Sequence, residues 1–155
     1  MFFLPALLML HLTALVLLAG TTLVDFVNFQ AFWKLYEHQK EQASGILTAS
    51  AKYSRLTGIG AALLIITGTC MLVLTHGVYA RQVWFRIKIV LVLLLIVNSI
   101  FNGARVGMQL RKTFNANPPG MATQISGLKY RLQTFYFLQL SILLIIILLS
   151  AYKFN

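Results

Sequence analysis

Carboxylate and thiol side chains are scarce in this sequence. Its 155 residues include three acidic residues, against thirteen lysines and arginines, and one cysteine, Cys70. A single cysteine cannot form an intrachain disulfide or supply a thiolate metal site. The net charge of +10 would suggest nucleic acid as the partner of a soluble protein. We expect no nucleic-acid binding here, because basic loops beside apolar segments fix membrane topology and contact anionic lipid headgroups.

Polar residues are few in four long segments, at about residues 2–25, 55–76, 84–105 and 128–152. Each segment matches the ~20 apolar residues that a helix needs to cross a bilayer. Alternation with a period of two residues is missing, which excludes a transmembrane barrel. The sequence therefore predicts an all-α integral membrane protein, a four-helix bundle that forms one domain over residues 1–155.

Basic residues are distributed unequally between the two ends of the predicted helices. The first and third connections carry Lys34, Lys40, Lys52, Arg55, Arg105, Arg111, Lys112, Lys129 and Arg131. The opposite side carries Arg81, Arg86, Lys88 and Lys153. The positive-inside rule then predicts cytoplasmic first and third connections and both termini outside. In a bacterial inner membrane, the outer side is the periplasm.

Glycine, proline and small residues predict where helices end and pack. Residues 32–43 lack Gly and Pro, which predicts a first helix that continues to a break at Ser44-Gly45. Pro118-Pro119-Gly120 predicts the end of the third helix, because proline cannot continue it. Small residues recur at helical spacing in the second span and predict its packing face. They are Ser54, Gly58, Ala61, Ala62 and Thr69.

Ionisable residues within the first span are candidates for function, because burying them in lipid is costly. His11, Ala14, Leu18, Thr22 and Asp25 fall on one stripe of the helix. His11 lies ~14 Å along the helix from residue 2 and therefore inside the hydrocarbon. We interpret it as a haem or metal ligand, a proton carrier, or a neutral histidine bonded to a neighbouring helix. Asp25, near the cytoplasmic boundary, is predicted to pair with an arginine at the same depth, either Arg55 or Arg105.

The third span carries two cations on different faces. Lys88 shares a face with Asn98 and Asn102, whereas Arg86 points away from it and can reach headgroups. No acidic residue lies on the outer side, so Lys88 needs a lipid phosphate, a water-filled pocket or an anionic ligand. Asn98 and Asn102 are interpreted as structural polar residues.

Two further polar positions have both a structural and a functional interpretation. His76 is either an interfacial histidine that ends the second helix before Gly77, or a ligand at the outer mouth of the helices. Tyr136 and Gln139 share a face of the fourth helix and are expected to make interhelical hydrogen bonds.

Several local motifs give the chain a resemblance to a known family. An early His11 is followed by Ala19-Gly20, Arg55-Leu-x-Gly58 opens the second span, and Trp84-Phe-Arg-Ile-Lys88 precedes a Leu/Val-rich run. This pattern resembles the HemJ-type protoporphyrinogen oxidases and the related CopD-like membrane domains. The resemblance implies haem b bound through His11 and redox chemistry on a porphyrin or quinone.

Two classes of function follow from these residues. In the first, the chain is a haem-binding redox protein with His11 as axial ligand, His76 as a candidate second ligand, and Lys88 and Arg86 near the cofactor carboxylates. In the second, it is a non-enzymatic membrane subunit or lipid-interacting protein that packs against itself or a partner subunit. A transporter using His11 and Asp25 is less favoured, because the chain lacks a repeat and broken helices.

The predicted topology can be tested by cysteine labelling. In a Cys70→Ser background, an Asn117→Cys variant should react with a membrane-impermeant maleimide only after the cells are opened, because the third connection is predicted to be cytoplasmic. Labelling of this position in intact cells would contradict the assignment of both termini to the outer side.

Overall fold

Four helices that are long and apolar enough to cross a membrane make up most of the described chain. The computed structural model describes residues 3–36, 38–78, 82–116 and 121–151. The helices are α1 (Phe3–Tyr36), α2 (Lys40–Leu74), α3 (Val83–Asn98), α4 (Arg105–Ala116) and α5 (Met121–Ala151), with a π-helical segment (Ser99–Ala104) joining α3 to α4. The third candidate span is this continuous stretch, Val83–Ala116. The predicted fold class, an all-α membrane protein with four transmembrane helices, is confirmed.

The connection between α1 and α2 differs from the prediction. The first helix ends at Tyr36 and the second begins at Lys40, so the predicted break at Ser44-Gly45 is wrong and both residues lie inside α2. Glycine within a helix costs only about 1 kcal/mol relative to alanine. Packing outweighs this cost, since Ala43 is fully buried and Leu47 nearly so.

The predicted end of the third span agrees with the structure. The α4 helix ends at Ala116, directly before the Asn-Pro-Pro-Gly sequence. Residues 117–120 themselves lie outside the described part of the chain.

The chain divides into two compact units, which are described separately. Unit 1 contains α1, α2 and the first turns of α3, up to Ile89. Unit 2 is Val90–Ala151, which comprises the rest of α3, the π-helical segment, α4 and α5. The prediction of one domain over the whole chain stays a prediction.

Unit 1 is built on a close antiparallel pairing of α1 with α2. A Cβ atom added to Gly60 would lie 3.1 Å from the backbone nitrogen of Leu18 and 3.4 Å from the carbonyl oxygen of Ala14. The absence of a side chain at Gly60 therefore lets the two backbones approach closely, as small residues do in membrane proteins. On α1, the predicted inward stripe is confirmed, because Ala14, Leu18 and Thr22 are all buried.

The face of α2 that packs against α1 is not the predicted one. The contact uses Thr57, Gly60 and Thr67. Two members of the predicted face, Ser54 and Thr69, are exposed, and a Cβ atom on Gly58 would meet nothing within 4 Å. Small residues occupy both sides of α2, so their spacing alone could not select the side that meets α1.

In unit 2, α5 packs closely against the π-helical segment, and a glycine again permits the close contact. A Cβ atom on Gly103 would lie 2.7 Å from Cζ of Phe135, a separation that real side chains do not adopt. Gly103 thus makes room for the buried Phe135 ring. The helices bury apolar side chains around this contact, among them Leu95, Val106, Leu110, Leu128, Leu132, Ile142 and Leu143.

The role of Gly60 in unit 1 can be tested against a glycine two residues away. Gly60→Ala should be about 1–3 kcal/mol less stable than Gly58→Ala, because only the first methyl group must displace backbone atoms of α1. Both substitutions gain the same helix propensity, so the difference reports packing alone. The measurement is unfolding of the purified variants in detergent, and equal stability would contradict the close approach at Gly60.

Candidate functional site

His11 is hydrogen-bonded to the neighbouring helix. Its Nδ1 atom lies 2.7 Å from Oγ1 of Thr67 on α2. The ring is half-buried and lies against Gly68, where an added Cβ atom would be 3.4 Å from Cε1 of the imidazole. Thr67 and Gly68 therefore fix the position of the ring, one through a hydrogen bond and the other by leaving space.

The hydrogen bonds of Thr67 determine which ring nitrogen of His11 carries a proton. Thr67 Oγ1 lies 2.6 Å from the carbonyl oxygen of Leu63, which can only accept a hydrogen bond. The single hydroxyl proton of Thr67 is thus donated to Leu63, and its oxygen accepts from the Nδ1–H group of His11. In the neutral imidazole, the lone pair is then on Nε2, the nitrogen that can bind a metal or accept a proton.

Lys88 and Arg86 have different environments at the start of α3. Lys88 is half-buried in the same unit as His11 and is close enough to it for a Coulombic interaction. The Arg86 side chain is exposed. Of the two cations, Lys88 is therefore the one associated with His11.

His76 ends α2 and is exposed. Its backbone is left-handed, with a φ of 50°, and is followed by Gly77 with a φ of 70°. The N–H group of Gly77 donates to the carbonyl of Leu72, and that of His76 donates to the carbonyl of Val73, which is the Schellman pattern of a helix C-terminus. His76 lies nine residues beyond Thr67, or ~13 Å along the helix. Because the imidazole of His11 is hydrogen-bonded to Thr67, His76 is well separated from that imidazole along α2.

The predicted partners of Asp25 are exposed. Arg55 is two residues from Thr57, so it lies about 200° around α2 from the side chain that meets α1. Arg105, in unit 2, stacks its guanidinium carbon 4.6 Å from the ring centre of Phe101. Asp25 itself is half-buried on α1. Its pairing with an arginine stays a prediction.

A second polar cluster links the helices of unit 2. Asn98 donates to Oε1 of Gln139 at 3.0 Å and to the carbonyl of Phe135 at 3.3 Å. Asn102 donates to Oδ1 of Asn98, and Gln139 donates to the hydroxyl of Ser99. Asn98 and Gln139 are buried. The interhelical hydrogen bonding expected of Gln139 is confirmed, whereas the structural interpretation of Asn98 and Asn102 stays a prediction.

The π-helical segment was not predicted from the sequence. It spans Ser99–Ala104, so it begins directly after Asn98 and includes Asn102, the two asparagines of the cluster. Such segments are rare, and they frequently occur at functional positions. The only sequence signal is the polar run Asn98-Ser99 followed by Asn102-Gly103 inside an apolar span, which does not distinguish a π-helical turn from ordinary polar contacts.

Within the described residues, no three His, Cys, Asp or Glu side chains come together as a metal site. A metal at His11 would therefore take most of its ligands from something other than these side chains.

The amide cluster generates a stability prediction. Gln139→Leu should destabilise the protein by about 1–2 kcal/mol, because it leaves Asn98 and Ser99 without their partner in an apolar medium. Gln133→Leu, an exposed position on the same helix, is the matched control and should change stability little. Detergent unfolding monitored by circular dichroism measures both, and equal losses would contradict the role of the cluster.

Comparison of the chain with protein-family models, with curated proteins and with solved structures found no match. The assignment of function therefore depends on the chemistry of its own residues.

Proposed function

We propose that this integral membrane protein binds haem b through Nε2 of His11 and acts in redox chemistry on a porphyrin or quinone. The observation that carries the proposal is the 2.7 Å contact between His11 Nδ1 and the Thr67 hydroxyl. Histidines that bind metals typically donate their other ring N–H to a nearby acceptor, which fixes the tautomer and orientation of the ring. Thr67 supplies this acceptor, and Nε2 keeps its lone pair.

The surroundings of His11 fit a cofactor with carboxylates. The half-buried Lys88 is within Coulombic range of the ring, so a cation lies near the proposed iron ligand and would attract a propionate. Arg86 lies two residues before Lys88 and is exposed. We propose that it contacts lipid headgroups or a second carboxylate of the cofactor near the membrane surface. When bound, haem would supply one-electron chemistry at its iron.

The residues of the chain hold and shield this group. Thr67 keeps the imidazole oriented, and Gly68 provides the space in which the ring lies against α2. The nearby cation of Lys88 disfavours a protonated imidazole, so it favours the neutral form of His11 that could bind iron. His76 is a helix-terminating residue ~13 Å from Thr67 along α2, so we propose ligation by one histidine of this chain.

The proposed location is the bacterial inner membrane with both termini in the periplasm. It is supported by the excess of basic residues in the first and third connections. In this orientation, His11 and Lys88 are nearer the periplasmic side, and an electron partner would approach from there.

Haem content per protein tests the proposal. Wild type expressed in haem-replete cells should purify with a reducible Soret band, and His11→Ala should lose it, because no other described histidine shares this environment. His38→Ala is the matched control, since His38 is exposed in the connection between α1 and α2. His76→Ala should retain haem, and Lys88→Met should lower its retention. A colourless wild type, or full haem in His11→Ala, would overturn the proposal in favour of a non-enzymatic membrane subunit.

Thr67→Val separates the ligand role of His11 from a structural one. The substitution removes the acceptor for Nδ1–H and should weaken haem binding by about 10–100-fold while leaving the Nε2 ligand present. The reduction potential and absorption spectrum of the residual holoprotein should also change, which a purely structural contact would not produce. An unchanged spectrum and affinity would show that Thr67 does not support an iron ligand.

A further inference from the structure

An open cleft of about 170 Å³ lies within unit 2 and is lined by none of the residues used above for haem. Asn98 and Asn102 line one side, and α5 contributes Tyr130, Arg131, Thr134 and Phe135. We propose that this cleft binds a phosphate group, carried by an anionic phospholipid. The proposal does not depend on haem binding.

Unit 2 contains no carboxylate that could compensate its positive charge. Val90–Ala151 contains five cationic residues, namely Arg105, Arg111, Lys112, Lys129 and Arg131, and no Asp or Glu. Arg131 therefore has no carboxylate partner within its own unit. Of these five residues, it is the one that lines the cleft. Its guanidinium group offers five N–H donors in a planar fork, which suits two oxygens of one phosphate.

The remaining donors of the cleft also favour an acceptor-rich ligand. Both amide protons of Asn98 are used, by Phe135 and Gln139. Asn102 donates one of its two amide protons to Oδ1 of Asn98, so the second amide proton can be donated to a ligand. The Tyr130 hydroxyl is a further donor on the lining. A phosphate diester, which only accepts hydrogen bonds, is complementary to this set.

The size and composition of the cleft favour a lipid headgroup. The volume of 170 Å³ is below the ~300 Å³ of common pockets for drug-sized ligands, so it admits a phosphate and glycerol but not a macrocycle. Leu138 continues the lining one turn further along α5 and is exposed, so acyl chains can lie against it. The predicted orientation puts Arg131 at the cytoplasmic end of α5, beside the leaflet that carries anionic lipid.

The wall of the cleft is preorganised by the amide cluster. Asn98 is tied to α5 through Gln139 and Phe135, and Asn102 is tied to Asn98. The π-helical segment holds Asn102 on this wall. A ligand therefore meets polar groups that are already positioned, which lowers the entropy lost on binding.

Binding of defined lipids to the full-length protein in detergent tests the proposal, with native mass spectrometry as the readout. Dioleoyl phosphatidylglycerol should bind, whereas dioleoylglycerol, which has the same chains without phosphate, should not. Arg131→Gln should weaken phosphatidylglycerol binding by more than about tenfold, because it removes charge-assisted hydrogen bonds. Lys129→Gln is the matched control: it removes the same charge from the same turn of α5, but Lys129 is not on the cleft lining.

The outcomes distinguish the sources of the phosphate. Displacement of phosphatidylglycerol by millimolar inorganic phosphate, with the same sensitivity to Arg131→Gln, would retain the phosphate site but assign it to a soluble ligand. Equal binding of phosphatidylglycerol and dioleoylglycerol would overturn the proposal. An equal loss in Lys129→Gln and Arg131→Gln would also overturn it, because it would indicate diffuse surface charge. Unchanged thermal unfolding of lipid-free Arg131→Gln would exclude misfolding as the cause of a loss.

Discussion

Every polar group inside a bilayer must find its hydrogen-bond partner within the protein, and the structure of this chain follows from that constraint. The threonines of α1 and α2 show how it is met. Thr22 and Thr67 each lie within hydrogen-bond distance of the carbonyl oxygen four residues earlier, to which the hydroxyl proton is donated. The hydroxyl oxygen of Thr67 still has a lone pair, and that lone pair accepts from His11 on the neighbouring helix. A side chain satisfied within its own helix can thus also link two helices.

This arrangement explains why a structural and a functional interpretation of His11 share the same evidence. A histidine in lipid needs at least one hydrogen bond, and Thr67 provides it whether or not a ligand is present. An imidazole offers two nitrogens, however, and the bond to Thr67 satisfies one of them. If the only role of position 11 were a hydrogen bond between the two helices, an asparagine or a threonine there would serve equally well. The feature that distinguishes histidine is the basic lone pair on Nε2, and the nearby Lys88 gives that side of the protein a cation as well.

The sequence predicted the four spans, the inward stripe of α1 and the end of the third span, because each depends on many residues or on proline. It did not predict the packing face of α2, since Gly58 and Gly60 lie on different sides and only tertiary contact decides between them. The start of the second helix at Lys40 was also missed, because burial of Ala43 outweighs the weak helix preference of Gly45. The π-helical segment could not be predicted, since its polar residues fit an α-helix equally well. The sequence drew attention to His11 as a polar residue inside the first span, but it did not indicate Thr67 as the hydrogen-bond partner of His11.

The two units satisfy their polar groups with different chemistry, and this difference has a consequence for what each can bind. Unit 1 contains all three acidic residues of the chain, together with basic ones, so opposite charges are available within it. Unit 2 uses neutral amides and hydroxyls for its internal contacts and has cations without any carboxylate. Its positive charge is therefore not compensated from within. In a membrane, the abundant anions are lipid phosphates, so the basic residues on which the predicted orientation rests are also the ones we propose to meet anionic headgroups.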